Sequence, residues 1–183
     1  MLTEKQAREE FISGIPTEYF HVHKECKGKP LFLKKMKRLF ADWDQKPSLG
    51  HVKVDFILEP TESLLKQGWE IGCVGVEIKS SFNILGRPGR AIAQILDYQS
   101  CEYSLPNGNT ELSMIFLFPF RETGKLIASI MQQNSLGFAR YKTEYGPQFA
   151  LLQANSNEPV FSYFSNGKIE IRRPRFGKRF GHR

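Results

Sequence analysis

Two short stretches of this sequence decide the fold: Val52-Lys-Val-Asp-Phe-Ile-Leu58 and Ile71-Gly-Cys-Val-Gly-Val-Glu-Ile-Lys-Ser80. Alternating apolar residues in each predict a β-strand. Asp55 interrupts the first strand, where a half-buried carboxylate is costly unless it is paired or bound to a metal. Glu77 and Lys79 are two residues apart in the second strand and therefore project from one face. If the strands pair, these three side chains converge at one end of a sheet.

Such a convergence has a specific chemistry. Two carboxylates, a strand carbonyl and water form an oxygen-only site of the kind that Mg²⁺ or Mn²⁺ prefers. Lys79 beside the site could orient an attacking water or neutralise charge. Two simpler interpretations stay open: Glu77 and Lys79 are solvated side chains, and Asp55 is an ordinary salt-bridge partner.

The rest of the chain surrounds these strands with helical and strand patterns. Thr3 is a predicted N-cap for a helix that ends at Gly14, and an apolar strand over 112–118 is predicted to be central in a sheet. Further helices are predicted over 31–43, 91–103 and 123–133, and further strands over 137–141, 149–153, 160–164 and 168–172. The last two strands form a hairpin across an Asn-Gly turn. This order predicts an α/β domain, built on a mixed central sheet flanked by helices, with extra C-terminal β-hairpin strands.

The length and charge of the chain limit its domain organisation and the kind of partner it favours. The 183 residues suit one domain over 1–172, followed by a basic tail over 173–183. The formal charge of +7 comes from two segments, 24–38 and 168–183, each with seven Lys or Arg and one acid. The remainder of the chain is mildly acidic. Two basic clusters favour a nucleic-acid partner, although solvated surfaces also explain them.

The sequence also predicts where the protein works. No apolar stretch approaches the length of a membrane span, and the N-terminus lacks an apolar signal-peptide core. Three widely spaced cysteines without a CxxC motif argue against a disulfide framework and against a cysteine zinc site. We therefore expect a cytoplasmic protein with no membrane partner.

The motifs resemble a known family. Val54-Asp55 followed by Val76-Glu-Ile-Lys79 looks like the core of the PD-(D/E)xK nuclease superfamily, with Val in place of the usual Pro. Gln94 and Tyr98 are four residues apart, on one face of the predicted helix. They are similar to the Gln-x-x-x-Tyr motif of the RecB-like and Cas4-like branch. The resemblance covers roughly residues 1–120.

The resemblance implies a restriction-endonuclease-like fold and hydrolysis of phosphodiester bonds in DNA, with Mg²⁺ or Mn²⁺ as cofactor. The implied catalytic residues are Asp55, Glu77 and Lys79, and the implied metal ligands are Asp55, Glu77 and Ile78 through its carbonyl. DNA is favoured over RNA as the substrate. By analogy, a small nuclease of this kind suits replication, recombination or repair, including in a phage.

Four residues on or near the predicted helix are candidates for substrate binding. Gln94 and Tyr98 could touch substrate or brace the site. Arg87 and Arg90 flank the turn into the helix, where cations oppose helix stability but favour phosphate binding. A solvated loop explains the two arginines equally well.

The resemblance also implies two ligands that the sequence does not identify. Relatives often use an acid from the first helix, and Glu4, Glu9 and Glu10 are candidates among which the sequence does not choose. Some relatives use a histidine from the N-terminal region. His21 and His23 lie here in a strand-like stretch, which favours ordinary surface histidines.

Three functions remain open at this point. The leading one is a metal-dependent deoxyribonuclease, of which a structure-specific junction resolvase is a special case. The second is a non-catalytic nucleic-acid-binding protein with a nuclease-like fold, and the third is a basic RNA-associated protein. Because the sequence contains no GxxxxGK[ST] motif, processive cleavage would require a homo-oligomer or a helicase or recombination partner.

Overall fold

In the described part of the chain, ten strands form one mixed sheet in the computed structural model. The structure describes residues 3–31, 52–79, 88–120, 125–141, 146–154 and 158–174, without the side chains of residues 88–92, 126 and 127. In chain order the elements are α1 (Glu4–Gly14), β1 (Phe20–Pro30), β2 (Val52–Pro60), α2 (Glu62–Lys66), β3 (Val74–Ile78), α3 (Pro88–Gln99), β4 (Cys101–Leu105), β5 (Gly108–Glu111), β6 (Met114–Phe118), α4 (Lys125–Gln133), β7 (Leu136–Tyr141), β8 (Phe149–Gln153), β9 (Pro159–Tyr163) and β10 (Ile169–Ile171).

The strand order is β10-β9-β8-β7-β6-β3-β2-β1-β4-β5. β6 runs parallel to both of its neighbours, β3 and β7. The other strand pairs are antiparallel. The predicted mixed α/β class is therefore confirmed, and every residue of β6 is buried near the middle of the sheet.

Helix α1 begins where the sequence predicts. The Thr3 hydroxyl accepts from the Gln6 amide, and the Gln6 side chain accepts from the Thr3 amide, which together form a capping box. Ala7 and Phe11 are four residues apart and fully buried. The Phe11 ring lies 5.2 Å from the ring of Phe56 on β2 and 5.2 Å from the ring of Phe118 on β6. These contacts fix α1 on one face of the sheet.

Each face of the sheet carries its own apolar core. The first core contains residues of α1 and α2, such as Phe11 and Leu64. The second contains Ile95 and Tyr98 of α3 and Met131 of α4. Helices therefore cover both faces, which gives three layers.

One prediction about local structure needs correction. The helix predicted over 91–103 ends at Gln99, and Cys101–Leu105 forms β4 instead. The reason is tertiary: β4 pairs with β1 on one side and with β5 on the other, and this buries Cys101 and Tyr103. The segment between β2 and β3 contains the short helix α2.

The remaining predictions concern segments outside the described residues, the cysteines and membrane-spanning helices. The helix predicted over 31–43 and most of the basic tail fall outside the described ranges, apart from Leu31, Arg173 and Pro174. All three cysteines are free thiols. Within the described ranges, no helix has the length and apolar character that a membrane span requires.

Candidate active site

The site lies where β2 and β3 separate. These strands pair over Phe56–Leu58 and Val74–Val76 and not beyond. At the point of separation, the Ile78 amide donates to Oδ2 of Asp55 at 2.8 Å. The Asp55 carboxylate thus satisfies a strand amide that the ladder leaves unpaired. This explains how an acid that is only 9 % exposed is tolerated in an apolar strand.

Helix α1 contributes a cation to the same carboxylate. The Arg8 guanidinium donates to Oδ1 of Asp55. It also lies 3.7 Å from the Glu25 carboxylate of β1 and 5.4 Å from the centre of the Phe56 ring. Glu25 has a φ of 51° and interrupts the β1–β2 ladder opposite Asp55. Both oxygens of Asp55 are therefore hydrogen-bonded, one of them to a charged group.

Glu77 is the more unusual carboxylate. It is 3 % exposed, and its Oε1 accepts from the ammonium of Lys79. Its Oε2 is buried and has no hydrogen-bond partner among the described residues. Burial raises the pKa of Glu77 to about 7, and the negative charge of Asp55 contributes, while Lys79 and the hydroxyl of Tyr98 act in the opposite direction. One carboxylate oxygen therefore remains available to a ligand.

Gln94 and Tyr98 meet on α3, as their spacing predicts. The Gln94 amide donates to the Tyr98 hydroxyl. Tyr98 is 2 % exposed, and burial, followed by the charge of Glu77, raises its pKa. The Tyr103 hydroxyl donates to the Tyr98 carbonyl at 3.0 Å and holds this end of the helix. Of the two roles left open by the sequence, this burial favours bracing of Glu77 by Tyr98.

Other candidate residues are placed elsewhere or lie outside the described part. Arg87 is not described, and for Arg90 the structure gives only its position in the first turn of α3. His23 pairs with Glu59 at 2.7 Å, and Asn107 donates to the same carboxylate. His23 is therefore committed to Glu59 at the other end of β2.

The first helix brings a base rather than an acid to the site. Of its residues, Arg8 contacts Asp55, whereas no described contact joins Glu4, Glu9 or Glu10 to either carboxylate. No motif in the sequence indicates Arg8 as a site residue. The available signal was weak: Arg8 borders the buried stripe formed by Ala7 and Phe11, a position common to many surface cations.

The candidate donors match what a hard divalent cation requires, which is oxygen ligands. Asp55, Glu77 and the Ile78 carbonyl offer only oxygen, and the buried Oε2 of Glu77 lacks a partner among the described residues. In the part of the chain that the structure describes, no three His, Cys, Asp or Glu side chains are grouped as metal ligands. Two carboxylates fit Mg²⁺, which usually keeps several waters and takes one or two protein carboxylates.

Comparison with known proteins adds no relative. No protein-family model matches the chain, and neither a curated protein nor a solved structure matches it.

Proposed function

We propose that this protein is a metal-dependent nuclease that hydrolyses phosphodiester bonds in DNA, acting in replication, recombination or repair. The observation that supports it best is the buried oxygen of Glu77 that has no hydrogen-bond partner among the described residues, on a carboxylate whose pKa the charge of Asp55 raises and whose other oxygen binds Lys79. Buried polar atoms of a purely structural ion pair are usually hydrogen-bonded. A carboxylate left half-satisfied at a sheet edge suits a site that takes a cation.

The architecture supports the finer fold proposal, a restriction-endonuclease-like domain. A mixed sheet has helices on both faces. Near its centre, Glu77 lies close to the carboxyl end of β3, and Asp55 of the antiparallel β2 accepts from Ile78 at that end. The β9–β10 hairpin supplies additional strands at one side of the sheet. Substrates of open α/β sheets generally bind beyond the carboxyl ends of the strands, which is where Glu77 lies on β3.

The metal would be Mg²⁺ or Mn²⁺, held by Asp55, Glu77 and the carbonyl of Ile78. When bound, it would polarise a phosphodiester oxygen, offset the charge that develops there and lower the pKa of the attacking water.

The chain's own residues would position the reactants. Lys79 is held by Glu77 and is mostly buried, so its ammonium occupies a defined place and can orient a water or offset phosphate charge. Tyr98 lowers the pKa of Glu77 and therefore favours the charged form, which is the ligand form. Gln94 fixes the Tyr98 hydroxyl from the same helix.

One observation favours a second candidate, a non-catalytic nucleic-acid-binding protein. Both carboxylates have basic partners within the chain, Arg8 for Asp55 and Lys79 for Glu77. Two internal ion pairs would stabilise the sheet edge without any metal. Such a protein would bind nucleic acid equally well with and without divalent ions and would not cleave it.

A cleavage assay on labelled substrates separates the two candidates. The panel contains single-stranded, duplex, nicked and four-way DNA together with RNA, each incubated with Mg²⁺, Mn²⁺ or EDTA. We expect cleavage that requires the metal and that is abolished in Asp55→Asn, Glu77→Gln and Lys79→Ala, with binding retained. Glu59→Gln, a carboxylate change at the far end of β2, serves as the control and should cleave normally. Undiminished cleavage by purified Asp55→Asn would overturn the assignment.

A further inference from the structure

Three parallel strands end together at the edge that carries the candidate site. β3 pairs in register with β6, so that Glu77 lies beside Leu117. β6 pairs in register with β7, so that Leu117 lies beside Phe138. Lys79 follows the last residue of β3, and Arg140 lies on β7 two residues beyond Phe138. Because the strands are parallel, Lys79 and Arg140 both lie beyond the level of Glu77 toward the same end of the sheet, two strands apart.

Arg140 also lies on the same face of the sheet as Glu77. Leu117 and Phe138, the neighbours of Glu77 at its level, belong to the core under α3 and α4. Side chains two residues apart share a face, so Arg140 follows Phe138 on that face. The separation of two strands corresponds to about 10 Å between backbones.

A ring holds the Arg140 guanidinium in place. Its central carbon lies 4.0 Å from the centre of the Phe120 ring, and that ring packs edge-on against Phe138 at 5.4 Å. Stacking uses the flat face of a guanidinium and leaves its N–H groups, which point outward in the plane, free to donate. Both residues are partly exposed.

Within the described ranges, no carboxylate pairs with the Arg140 guanidinium. This distinguishes it from Lys79, whose ammonium is paired with Glu77. It also differs from Arg8, which is paired with Asp55. A fixed guanidinium that has no carboxylate partner among the described residues is suited to bind an anion bidentately.

We propose that Arg140, held by Phe120, binds a backbone phosphate of the nucleic-acid substrate next to the phosphate that is cleaved. The proposal rests on the proposed function in so far as nucleic acid is the ligand. Lys79 and Arg140 are anchored separately, one by Glu77 and the other by Phe120. They therefore serve different phosphates, and Arg140 sets the direction in which the strand crosses the ends of β3, β6 and β7.

The simpler alternative is that Arg140 only shields the Phe120 ring from water. The two roles differ in one observable. A phosphate contact releases counterions, so its removal lowers the slope of log binding constant against log salt by about 0.7–0.9 per phosphate. Shielding of a ring leaves that slope unchanged.

The test measures binding of a labelled single-stranded DNA oligonucleotide in EDTA, where no cleavage occurs, between about 50 and 200 mM salt. We expect Arg140→Gln to bind about tenfold more weakly, the effect of one charged hydrogen-bonded contact, and to show the lower slope. Phe120→Leu should weaken binding less, since the charge stays but its platform is lost. The control is Lys66→Gln on α2, which removes one charge at the opposite end of β3 and should leave the slope unchanged.

Two outcomes overturn the proposal: no binding by the wild-type protein, or equal affinity and slope for Arg140→Gln and Lys66→Gln. If Arg140→Gln does not fold, the same measurements are made on Arg140→Lys. The proposal then requires weaker binding with an unchanged salt slope, because the charge remains and the planar fork is lost. Unchanged affinity of Arg140→Lys would refute the proposal. Failure of the proposed function has a different signature. In that case the wild-type protein leaves DNA intact in Mg²⁺, while the binding defect of Arg140→Gln persists.

Discussion

Arg8 and Asp55, 47 positions apart in the sequence, form an ion pair that ties helix α1 to the point where β2 and β3 separate. The Arg8 guanidinium places a positive charge beside the Asp55 carboxylate, which is also a proposed ligand of the metal. Arg8 is about a third exposed and Asp55 is mostly buried. The pair therefore stabilises the metal-free protein and at the same time competes with a cation.

Replacement of Arg8 should change stability and metal affinity in opposite directions. We expect Arg8→Gln to lower the free energy of unfolding in EDTA by about 1–2 kcal/mol, since a charged hydrogen bond to a largely buried carboxylate is lost. The same variant should bind Mg²⁺ more tightly, because a competing positive charge is removed. Urea titration and calorimetry measure the two effects. Lys53→Gln, which removes a cation that pairs with Glu25 and not with Asp55, is the control; equal Mg²⁺ affinity in both variants would contradict the prediction.

The raised pKa of Glu77 predicts how stability depends on pH without metal. Its folded value of about 7 lies above the ordinary 4.5, so the folded state holds the proton more tightly than the unfolded state. The resulting stabilisation is complete below pH 4.5 and is lost as the pH rises to about 7. Relative to Glu77→Gln, the wild-type protein should therefore lose about 3 kcal/mol across this window.

Urea unfolding of the two proteins in EDTA, at about pH 5 and about pH 8, tests this expectation. The amide of Glu77→Gln does not titrate, so the difference between the proteins isolates the carboxyl group. A difference that is the same at both pH values would show that Glu77 has an ordinary pKa in the folded protein.

Tyr98 should influence cleavage through the pKa of Glu77. Its hydroxyl lowers that pKa, so in Tyr98→Phe the carboxyl group holds its proton to higher pH. We expect the acid limb of the pH profile of kcat/KM to move upward by about one unit. Tyr103→Phe is the matched control, because the Tyr103 hydroxyl is also buried but donates to the backbone carbonyl of Tyr98. If the acid limbs of Tyr98→Phe and Tyr103→Phe coincide, Tyr98 does not influence cleavage through the pKa of Glu77.

Adjacent residues of α1 should differ sharply in their contribution to stability. Phe11 is fully buried among aromatic rings of β2, β6 and β8, and Phe11→Ala should cost about 3–5 kcal/mol. Ile12 is 36 % exposed, and Ile12→Ala should cost less than about 1 kcal/mol. Thermal and urea unfolding compare the two. Equal losses would mean that α1 is not docked on the sheet through Phe11.

The local sequence pattern is sufficient to predict an element where its buried residues recur with the period of a strand or a helix. The alternation around Asp55 predicted β2, and the spacing of Ala7 and Phe11 predicted α1. The full length of β1 was missed, because the second half of Phe20–Pro30 is mostly polar and its pairing with β2 and β4 defines it as a strand. β4 falls within the helix predicted over 91–103 for a related reason: one of its two neighbours in the sheet, β1, is remote in sequence.

In the candidate site, too, some features follow from the local sequence pattern and others do not. Strand periodicity placed Glu77 and Lys79 on one face, and helical spacing placed Gln94 beside Tyr98. The separation of β2 from β3, the approach of Arg8 and the alignment of Arg140 depend on register between distant segments. No local pattern encodes these, since each requires that the whole sheet has first assembled.

The sheet, as far as it is described, ends in β10 on one side and β5 on the other. β10 has three residues and lies between the charged Lys168 and Arg172, and β5 is the four-residue segment Gly-Asn-Thr-Glu. Exposed strand edges are templates on which other chains add strands and aggregate, and natural proteins counter this with short, charged edges. Although the described sheet is ten strands wide, the two strands that end it therefore offer little free backbone for intermolecular β-pairing.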